Sequence, residues 1–180
     1  MFTNTIYIDL DGVIADFDGY CISLIGKKLS DFNDSNSGWE ALGFDKYTMF
    51  KHLKPIHDSK ALINGVFKFS LKYKYNVAVL TAIPKNGRIP YAKSHKKEWV
   101  YNNFPELSHD FNIGPYAEDK QKHCVVGDIL IDDSKLNIPQ WKSAGGIGIL
   151  HTSAVDSLNQ LKDILLGSSI GRAVASKAKG

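Results

Sequence analysis

The chain is 180 residues long, which suits one domain with a modest insertion and allows a real hydrophobic core. Hydrophobic residues account for 43% and charged residues for 23%, as in ordinary globular proteins. The formal charge of +3 and the even spread of the 22 Lys and Arg residues argue against nucleic acid as a partner.

The sequence also carries expectations about location. Its first residues enter a predicted strand directly, without the pattern of a secretion signal or an apolar membrane span, so we expect no membrane association. Cys21 and Cys124 are widely separated and match no metal-binding spacing, which favours reduced thiols. We therefore expect a cytoplasmic protein, either a monomer or a homodimer.

The first predicted strand ends on a pair of carboxylates. Residues 6–8 form an unbroken apolar run, typical of a strand buried on both faces of a parallel sheet, and Asp9 and Asp11 follow it. Neighbouring carboxylates repel each other, so the pair indicates a site where a cation lies between them or one of them carries a proton.

An insertion rich in polar residues follows the first strand. Residues 13–25 alternate at helical spacing, and residues 27–54 are polar with scattered aromatic residues, which predicts a small set of short helices. Asp58 is a candidate N-cap for a helix that begins at Ser59. That helix has an apolar stripe at steps of four, three and four residues, formed by Leu62, Val66, Phe69 and Tyr73.

The second half of the chain alternates between strands and helices. We predict strands at 77–81, 111–113, 129–131 and 147–150, and helices at 93–103, before 145 and after 154. This alternation predicts an α/β fold with a doubly wound parallel sheet and a small helical cap inserted after the first strand. The expected division is a core of 1–15 and 76–166, a cap with its return helix at 16–75, and a flexible tail at 167–180.

Three predicted strands end on polar side chains, namely Asp9 and Asp11, Thr81, and Asp132 and Asp133. Ligands of such sheets bind outside the carboxyl ends of the strands, so we expect these side chains to converge. Several carboxylates in one pocket favour Mg²⁺, which prefers oxygen ligands. With the metal in place a second carboxylate can attack phosphorus, while Thr81 and a lysine near residue 120 stabilise the phosphoryl oxygens.

The order of these motifs resembles the haloacid-dehalogenase-like phosphatase superfamily. The segment Asp-Leu-Asp-Gly-Val at 9–13, Thr81, a lysine near 120 and the pair Asp132-Asp133 are similar to its four motifs over residues 5 to 150. Residues 9–17, 96–100 and 128–133 are more narrowly similar to the 5'(3')-deoxyribonucleotidases, including bacterial and phage relatives. This resemblance implies a cofactor, Mg²⁺, and a small-molecule nucleotide as the substrate.

The resemblance also implies a role for each residue. Asp9 would be the nucleophile, and Asp11 would protonate the leaving oxygen and then activate water. Mg²⁺ would be held by Asp9, the Asp11 carbonyl and Asp132, with Asp133 in support. Substrate contacts would come from Thr81 to the phosphate, from Phe17 to the base, and from Lys96.

Several assignments stay open at this point. Ala82 follows Thr81 where the family often has serine, so one phosphate contact is in question. The motif lysine is either Lys120 or Lys122, with the sequence context favouring Lys120. Lys96 is either a substrate contact or part of a solvated helix face with Lys93 and Lys97, and Asp128 is interpreted as structural.

Alternative functions also fit parts of the pattern. A phosphatase for another small phosphate ester, or for a nucleic-acid 3'-phosphate, would use the same motifs with a different cap. A receiver-like module or an inactive nucleotide-binding protein would also carry Asp, Thr and Lys residues. Receivers place their acidic pair after the first strand, whereas here Asp132 and Asp133 come last.

Overall fold

A five-stranded parallel sheet forms the centre of the protein. The computed structural model describes residues 4–85, 89–114 and 116–177. The sheet has the order β3-β2-β1-β4-β5 and consists of β1 (Asn4–Ile8), β2 (Tyr75–Thr81), β3 (Phe111–Ile113), β4 (Ile129–Asp132) and β5 (Ile147–Leu150). The chain moves outward from β1 in one direction and then returns to the other side, so the predicted doubly wound α/β sheet is confirmed.

The register of the central strands aligns their carboxyl ends. Ile8 of β1 lies beside Val79 of β2 and beside Ile131 of β4. The residues just beyond these positions therefore leave the sheet at one edge. Asp9 and Asp132 are brought side by side in this way, and the Asp9 amide donates to the Ile131 carbonyl at 3.0 Å.

Seven α-helices and several 3₁₀-helices are found in the described part of the chain. The α-helices are α1 (Phe17–Ile25), α2 (Ser35–Ala41), α3 (Met49–His52), α4 (Ser59–Tyr73), α5 (Ala92–Asn103), α6 (Asn137–Ser143) and α7 (Ala154–Lys177). The 3₁₀-helices are Leu29–Asp31, Asp45–Tyr47, Pro105–Leu107 and Ala117–His123. None of the described helices has the length and apolar character needed to cross a bilayer.

Helices cover both faces of the sheet because alternate strand residues point to opposite sides. Trp141 of α6 packs with Leu80 and Leu130 on one face. Ile8 and Ile131 point to the other face and join the main core. That core also takes in fully buried leucines of α4 and α7.

The segment between β1 and α4 forms the small helical layer that the sequence predicted for this region. It contains α1, α2 and α3 and contributes Cys21, Met49 and Phe50 to the main hydrophobic core. The Trp99 indole of α5 donates to the Leu53 carbonyl at 2.7 Å, which ties the end of this layer to the core. The expected division into core, cap and tail stays a prediction.

Two local expectations need correction. Helix α1 begins at Phe17 and not at residue 13, because residues 12–15 form tight turns that return to Leu10. Asp58 does not cap α4; its carboxylate accepts from the Ala154 amide at 2.8 Å and so caps α7. Within the segment predicted as a tail, α7 continues to Lys177, and residues 178–180 lie outside the described residues.

Candidate active site

A buried lysine joins the carboxylates that end β1 and β4. The Lys120 ammonium lies 2.8 Å from Asp9 Oδ1 and 2.7 Å from Asp132 Oδ2. Asp9 Oδ1 also accepts from the Leu10 amide at 2.7 Å. Since these contacts fall on Oδ1, the second oxygen of Asp9 is left for other partners.

Electrostatics at this centre favour the arrival of positive charge. Burial raises the pKa of the Asp9 carboxyl from 3.8 to about 7; Lys120 opposes this shift, and Asp132 and Asp11 add to it. Burial also disfavours the charged Lys120 ammonium, but the attraction of the two carboxylates outweighs it and the pKa of Lys120 is raised. A second cation beside Asp9, in addition to Lys120, would therefore favour the ionised carboxyl.

The residues present fit a divalent metal ion that prefers oxygen ligands. Carboxylate oxygens of Asp9, Asp132 and Asp133 all lie within 4.8 Å of one another. Asp132 is held in place by the Ser134 amide at 2.8 Å and the Asn137 amide group at 3.0 Å. Although Asp133 is exposed at the rim, the surrounding protein desolvates its carboxyl and, together with Asp132, raises its pKa to about 6.

Gly12 leaves the space that the Asp133 carboxylate occupies. Its φ of +77° is a conformation that glycine adopts without steric cost, and a Cβ at this position would overlap the Asp133 carboxylate. The turn after Asp11 thus lets the loops after β1 and β4 approach each other closely. A side chain at position 12 would therefore push the Asp133 carboxylate away from those of Asp9 and Asp132.

Replacing Gly12 by Ala is expected to destabilise the protein by more than replacing Gly26. Gly26 has a matching φ of +78° with no atom within 4 Å of an added Cβ. Gly26→Ala should therefore show the backbone cost alone, about 1–2 kcal/mol. Urea denaturation and Mg²⁺ titration of both variants check this, and weakened Mg²⁺ binding is expected for Gly12→Ala. Equal losses and equal Mg²⁺ affinities would contradict the steric argument.

A second buried lysine holds Asp11. The Lys96 ammonium contacts Asp11 Oδ2 at 2.5 Å, Thr81 Oγ1 at 3.0 Å and the Ala82 carbonyl at 2.7 Å. It also lies 4.6 Å from the centre of the Phe50 ring. Asp11 Oδ1 is buried without a hydrogen-bond partner among the described atoms. Asp11 is the residue to which the family resemblance assigns proton transfer, and Oδ1 is its oxygen without a partner.

The interpretation of Lys96 as part of a solvated helix face is wrong. Its side chain is 1% exposed, whereas Lys93 and Lys97 on the same helix are exposed. The Lys96 side chain points inward, because its ammonium is bound by Thr81 and Ala82 at the end of β2. The structure therefore brings Lys96 to the site, and it brings Ala82 there through its backbone carbonyl.

Of the two lysines that the sequence left open, only Lys120 reaches the carboxylates. The 3₁₀-helix Ala117–His123 turns Lys120 inward, where it is 2% exposed. Lys122 is 70% exposed and pairs with Asp119 at 2.6 Å. Lys122 therefore lies outside the site, and its position does not support it as the catalytic motif lysine.

An aromatic cavity of about 560 Å³ opens beside Asp11 and Lys96. Phe17, Trp39 and Phe50 form one wall, with Phe17 stacked against Phe50 at a centroid distance of 6.1 Å. Ala82, Ala117 and Asp11 border both this cavity and the smaller one around Asp9 and Lys120. The two cavities are thus neighbours.

Several site residues were not singled out from the sequence. Phe50 is one of the scattered aromatic residues of the insertion, and Asn137, Lys85 and Glu118 belong to no recognisable motif. The hydrogen bonds that the Asn137 side-chain amide donates to the Asp132 carboxylate depend on the turn into α6, which no local pattern specifies. Asp128 is structural, as expected, because it accepts from the Thr5 amide at 2.8 Å.

Comparison with known families decides the assignment. The profile described as "5' nucleotidase, deoxy (Pyrimidine), cytosolic type C protein" matches residues 3–161. The chain belongs to this family. It is therefore a haloacid-dehalogenase-like phosphoric monoester hydrolase of the 5'-nucleotidase class, and the resemblance drawn from the motifs is confirmed. A search of curated protein sequences gives no match.

Solved structures with a similar fold share little sequence with this nucleotidase-family chain. A hydrolase from Streptococcus pneumoniae superposes with a TM-score of 0.51 at 13% identity, covering 91% of this chain and 100% of the other. A HAD family hydrolase from Deinococcus radiodurans gives 0.48 at 12% identity, covering 89% and 88%. A HAD family enzyme from Bacteroides thetaiotaomicron, crystallised with magnesium, gives 0.48 at 16% identity, covering 85% and 95%. The first of these supports the fold.

Proposed function

We propose that this nucleotidase-family chain is a Mg²⁺-dependent phosphatase that hydrolyses nucleoside monophosphates through an aspartyl-phosphate on Asp9. The observation that carries the proposal is the position of Asp9. Its carboxylate lies 2.8 Å from the Lys120 ammonium and within 4.8 Å of two further carboxylates, near an aromatic cavity large enough for a nucleoside. Nucleotide hydrolysis needs this combination of an anionic nucleophile, phosphate-binding cations and an apolar pocket.

In this proposal Asp9, Asp132, Asp133 and the Asp11 carbonyl would hold Mg²⁺. The bound ion would offset the charge of the phosphate and of the carboxylates around it. Lys120 supplies positive charge from the protein itself. The Asn137 amide and the Ser134 backbone fix Asp132, so that the ligand set is held before substrate arrives.

The first chemical step transfers the phosphoryl group to Asp9. Its free carboxylate oxygen attacks phosphorus, the bond between phosphorus and the nucleoside oxygen breaks, and Asp11 gives a proton to that oxygen. Lys120 and the Thr81 hydroxyl stabilise the negative charge on the phosphoryl oxygens. Lys96 positions the Asp11 carboxylate, because its ammonium donates to Asp11 Oδ2 and leaves Asp11 Oδ1 without a partner.

The second step releases phosphate. Asp11, now ionised, accepts a proton from water, the water oxygen attacks phosphorus, and the bond to Asp9 breaks. General acid–base assistance of this kind is worth about 10²–10⁴-fold in rate. The enzyme thereby returns to its starting state, with Asp9 ionised and Asp11 protonated by the proton that it took from water.

The aromatic cavity supports a nucleoside as the leaving group. Phe17 and Trp39 are partly exposed and offer ring faces on which a base can stack, which is worth about 1–3 kcal/mol per base, while the buried Phe50 supports Phe17 from behind. A sugar phosphate lacks a flat apolar group that would use this wall. The cavity therefore favours nucleotides over sugar phosphates of similar charge.

A panel of phosphate esters tests the proposed function. We expect phosphate release from dUMP and dTMP in the presence of Mg²⁺, and little release from glucose 6-phosphate. Addition of EDTA should abolish turnover, and Mg²⁺ in excess should restore it. Equal or faster hydrolysis of the sugar phosphate would reject a nucleotide substrate, and full activity in EDTA would reject the metal requirement.

A further inference from the structure

An ion pair that takes no part in the proposed chemistry lines the aromatic cavity. Lys85 from the segment after β2 forms a salt bridge with Glu118 in the 3₁₀-helix Ala117–His123. Both residues line the cavity that Phe17 and Trp39 also border. The Lys85 ammonium also lies 5.5 Å from the centre of the Tyr116 ring.

The aromatic wall alone would not select among nucleosides. Stacking on aromatic rings tolerates every base, because each base has a π-face. Strong discrimination comes instead from hydrogen-bonding groups that are left unpaired when the wrong ligand binds. A fixed donor beside a fixed acceptor in the same cavity is therefore the natural place to look for specificity.

The Lys85–Glu118 pair has the properties of such an element. Both side chains are about half exposed, so the ion pair adds little to stability and a ligand can reach both charges. The hydrogen bond to Lys85 lowers the pKa of Glu118, which keeps the carboxylate an acceptor. Glu118 adjoins Ala117, which borders both cavities, so the pair lies near the path from phosphate to nucleoside.

We propose that the Lys85–Glu118 pair reads the polar edge of the leaving nucleoside. Glu118 accepts from an N–H or O–H of the nucleoside, and Lys85 donates to a neighbouring acceptor oxygen. Two parts of a nucleotide offer this chemistry, the N3–H and carbonyl edge of a uracil or thymine base and the hydroxyl of the sugar. The inference rests on the proposed nucleotidase function.

The first test compares substrates with and without a nucleoside. For Glu118→Gln and Lys85→Met we expect kcat/KM for dUMP to fall about tenfold more than kcat/KM for p-nitrophenyl phosphate, as for a hydrogen bond to a charged group. Lys122→Met is the matched control, because it also removes an exposed lysine from an ion pair, here with Asp119 on the same 3₁₀-helix, and neither residue lines the cavity. Its dUMP to p-nitrophenyl phosphate ratio should equal that of the wild type.

A charge swap separates recognition from loop bracing. The double variant Lys85→Glu with Glu118→Lys keeps an ion pair between the two segments but exchanges donor and acceptor. If the pair reads the nucleoside, the swap should remain as impaired with dUMP as either single variant. Recovery of wild-type kcat/KM by the swap would show that the pair only braces the loops, and would overturn the inference.

Modified nucleotides identify which part is read. N3-methyl-dUMP removes the donor of the base, and the 2',3'-dideoxy analogue of dUMP removes the sugar hydroxyl. Wild type should lose about tenfold on one analogue, and Glu118→Gln should lose little on that same analogue. Equal losses in wild type and variant on both analogues would overturn the inference while nucleotide hydrolysis stands. If the wild type hydrolyses no nucleotide, the proposed function fails and this inference fails with it.

Discussion

Asp9→Asn is expected to lower kcat for nucleotide hydrolysis by about 10⁴-fold or more, as is typical when a covalent nucleophile is removed. The amide has nearly the same shape, so the hydrogen bond from the Leu10 amide at 2.7 Å can remain. It carries no charge, however, and cannot form an acyl phosphate with phosphorus. Steady-state phosphate release from dUMP measures the loss.

Two measurements keep that result interpretable. Asp163→Asn makes the same chemical change at an exposed position of α7, away from the site, and should retain wild-type kcat. Wild type quenched in acid during turnover of phosphorus-labelled substrate should retain label that hydroxylamine removes, as acyl phosphates do. Retained activity in Asp9→Asn, or no trapped label in the wild type, would reject Asp9 as the nucleophile.

The sheet and its active edge could be predicted because their signals are local. The apolar runs at 6–8 and 129–131 are each long enough to cross a buried sheet and end on aspartates. The carboxyl ends of parallel strands lie at one edge of the sheet, so the predicted parallel sheet places Asp9, Thr81 and Asp132 close together. The structure pairs Ile8 with Val79 and Ile131, and this register produces the predicted convergence.

Lys96 shows where local pattern is insufficient. A lysine between other lysines on a helix normally faces water, because burying an unpaired ammonium is costly. The cost is offset here by Asp11, the Thr81 hydroxyl and the Ala82 carbonyl, which come from two other segments of the chain. No feature of the helix itself records these partners. The cap of α7 by Asp58 was missed for the same reason, since its partner Ala154 lies far along the chain.

Which of Lys120 and Lys122 points into the site is decided by the 3₁₀-helix Ala117–His123, which no sequence pattern predicted. With three residues per turn, Lys120 and His123 lie on one side of this helix and Lys122 on another. The sequence context favours Lys120, but no local pattern shows which way either side chain points. The helix turns Lys120 toward Asp9 and Asp132 and leaves Lys122 in solvent.

Lys120→Met is expected to lower both stability and activity. Its ammonium is the positive charge between Asp9 and Asp132, and removing one partner of a buried ion pair costs about 3–5 kcal/mol. Urea denaturation without Mg²⁺ should show this loss, and Mg²⁺ should recover part of it by binding the same carboxylates. With Mg²⁺ present we expect kcat to fall about 10²–10³-fold, because one phosphoryl-stabilising charge is gone.

Lys122→Met is the matched control two residues away. It removes the exposed partner of an ion pair with Asp119, whose own side chain is 15% exposed, so the free energy of unfolding should change by no more than about 1 kcal/mol and kcat should not change. Lys120→Arg keeps the charge with a longer side chain, and it should retain more stability than Lys120→Met because Asp9 and Asp132 stay paired. Loss of activity in Lys122→Met with activity kept in Lys120→Met would show that the phosphate-binding lysine was assigned to the wrong residue.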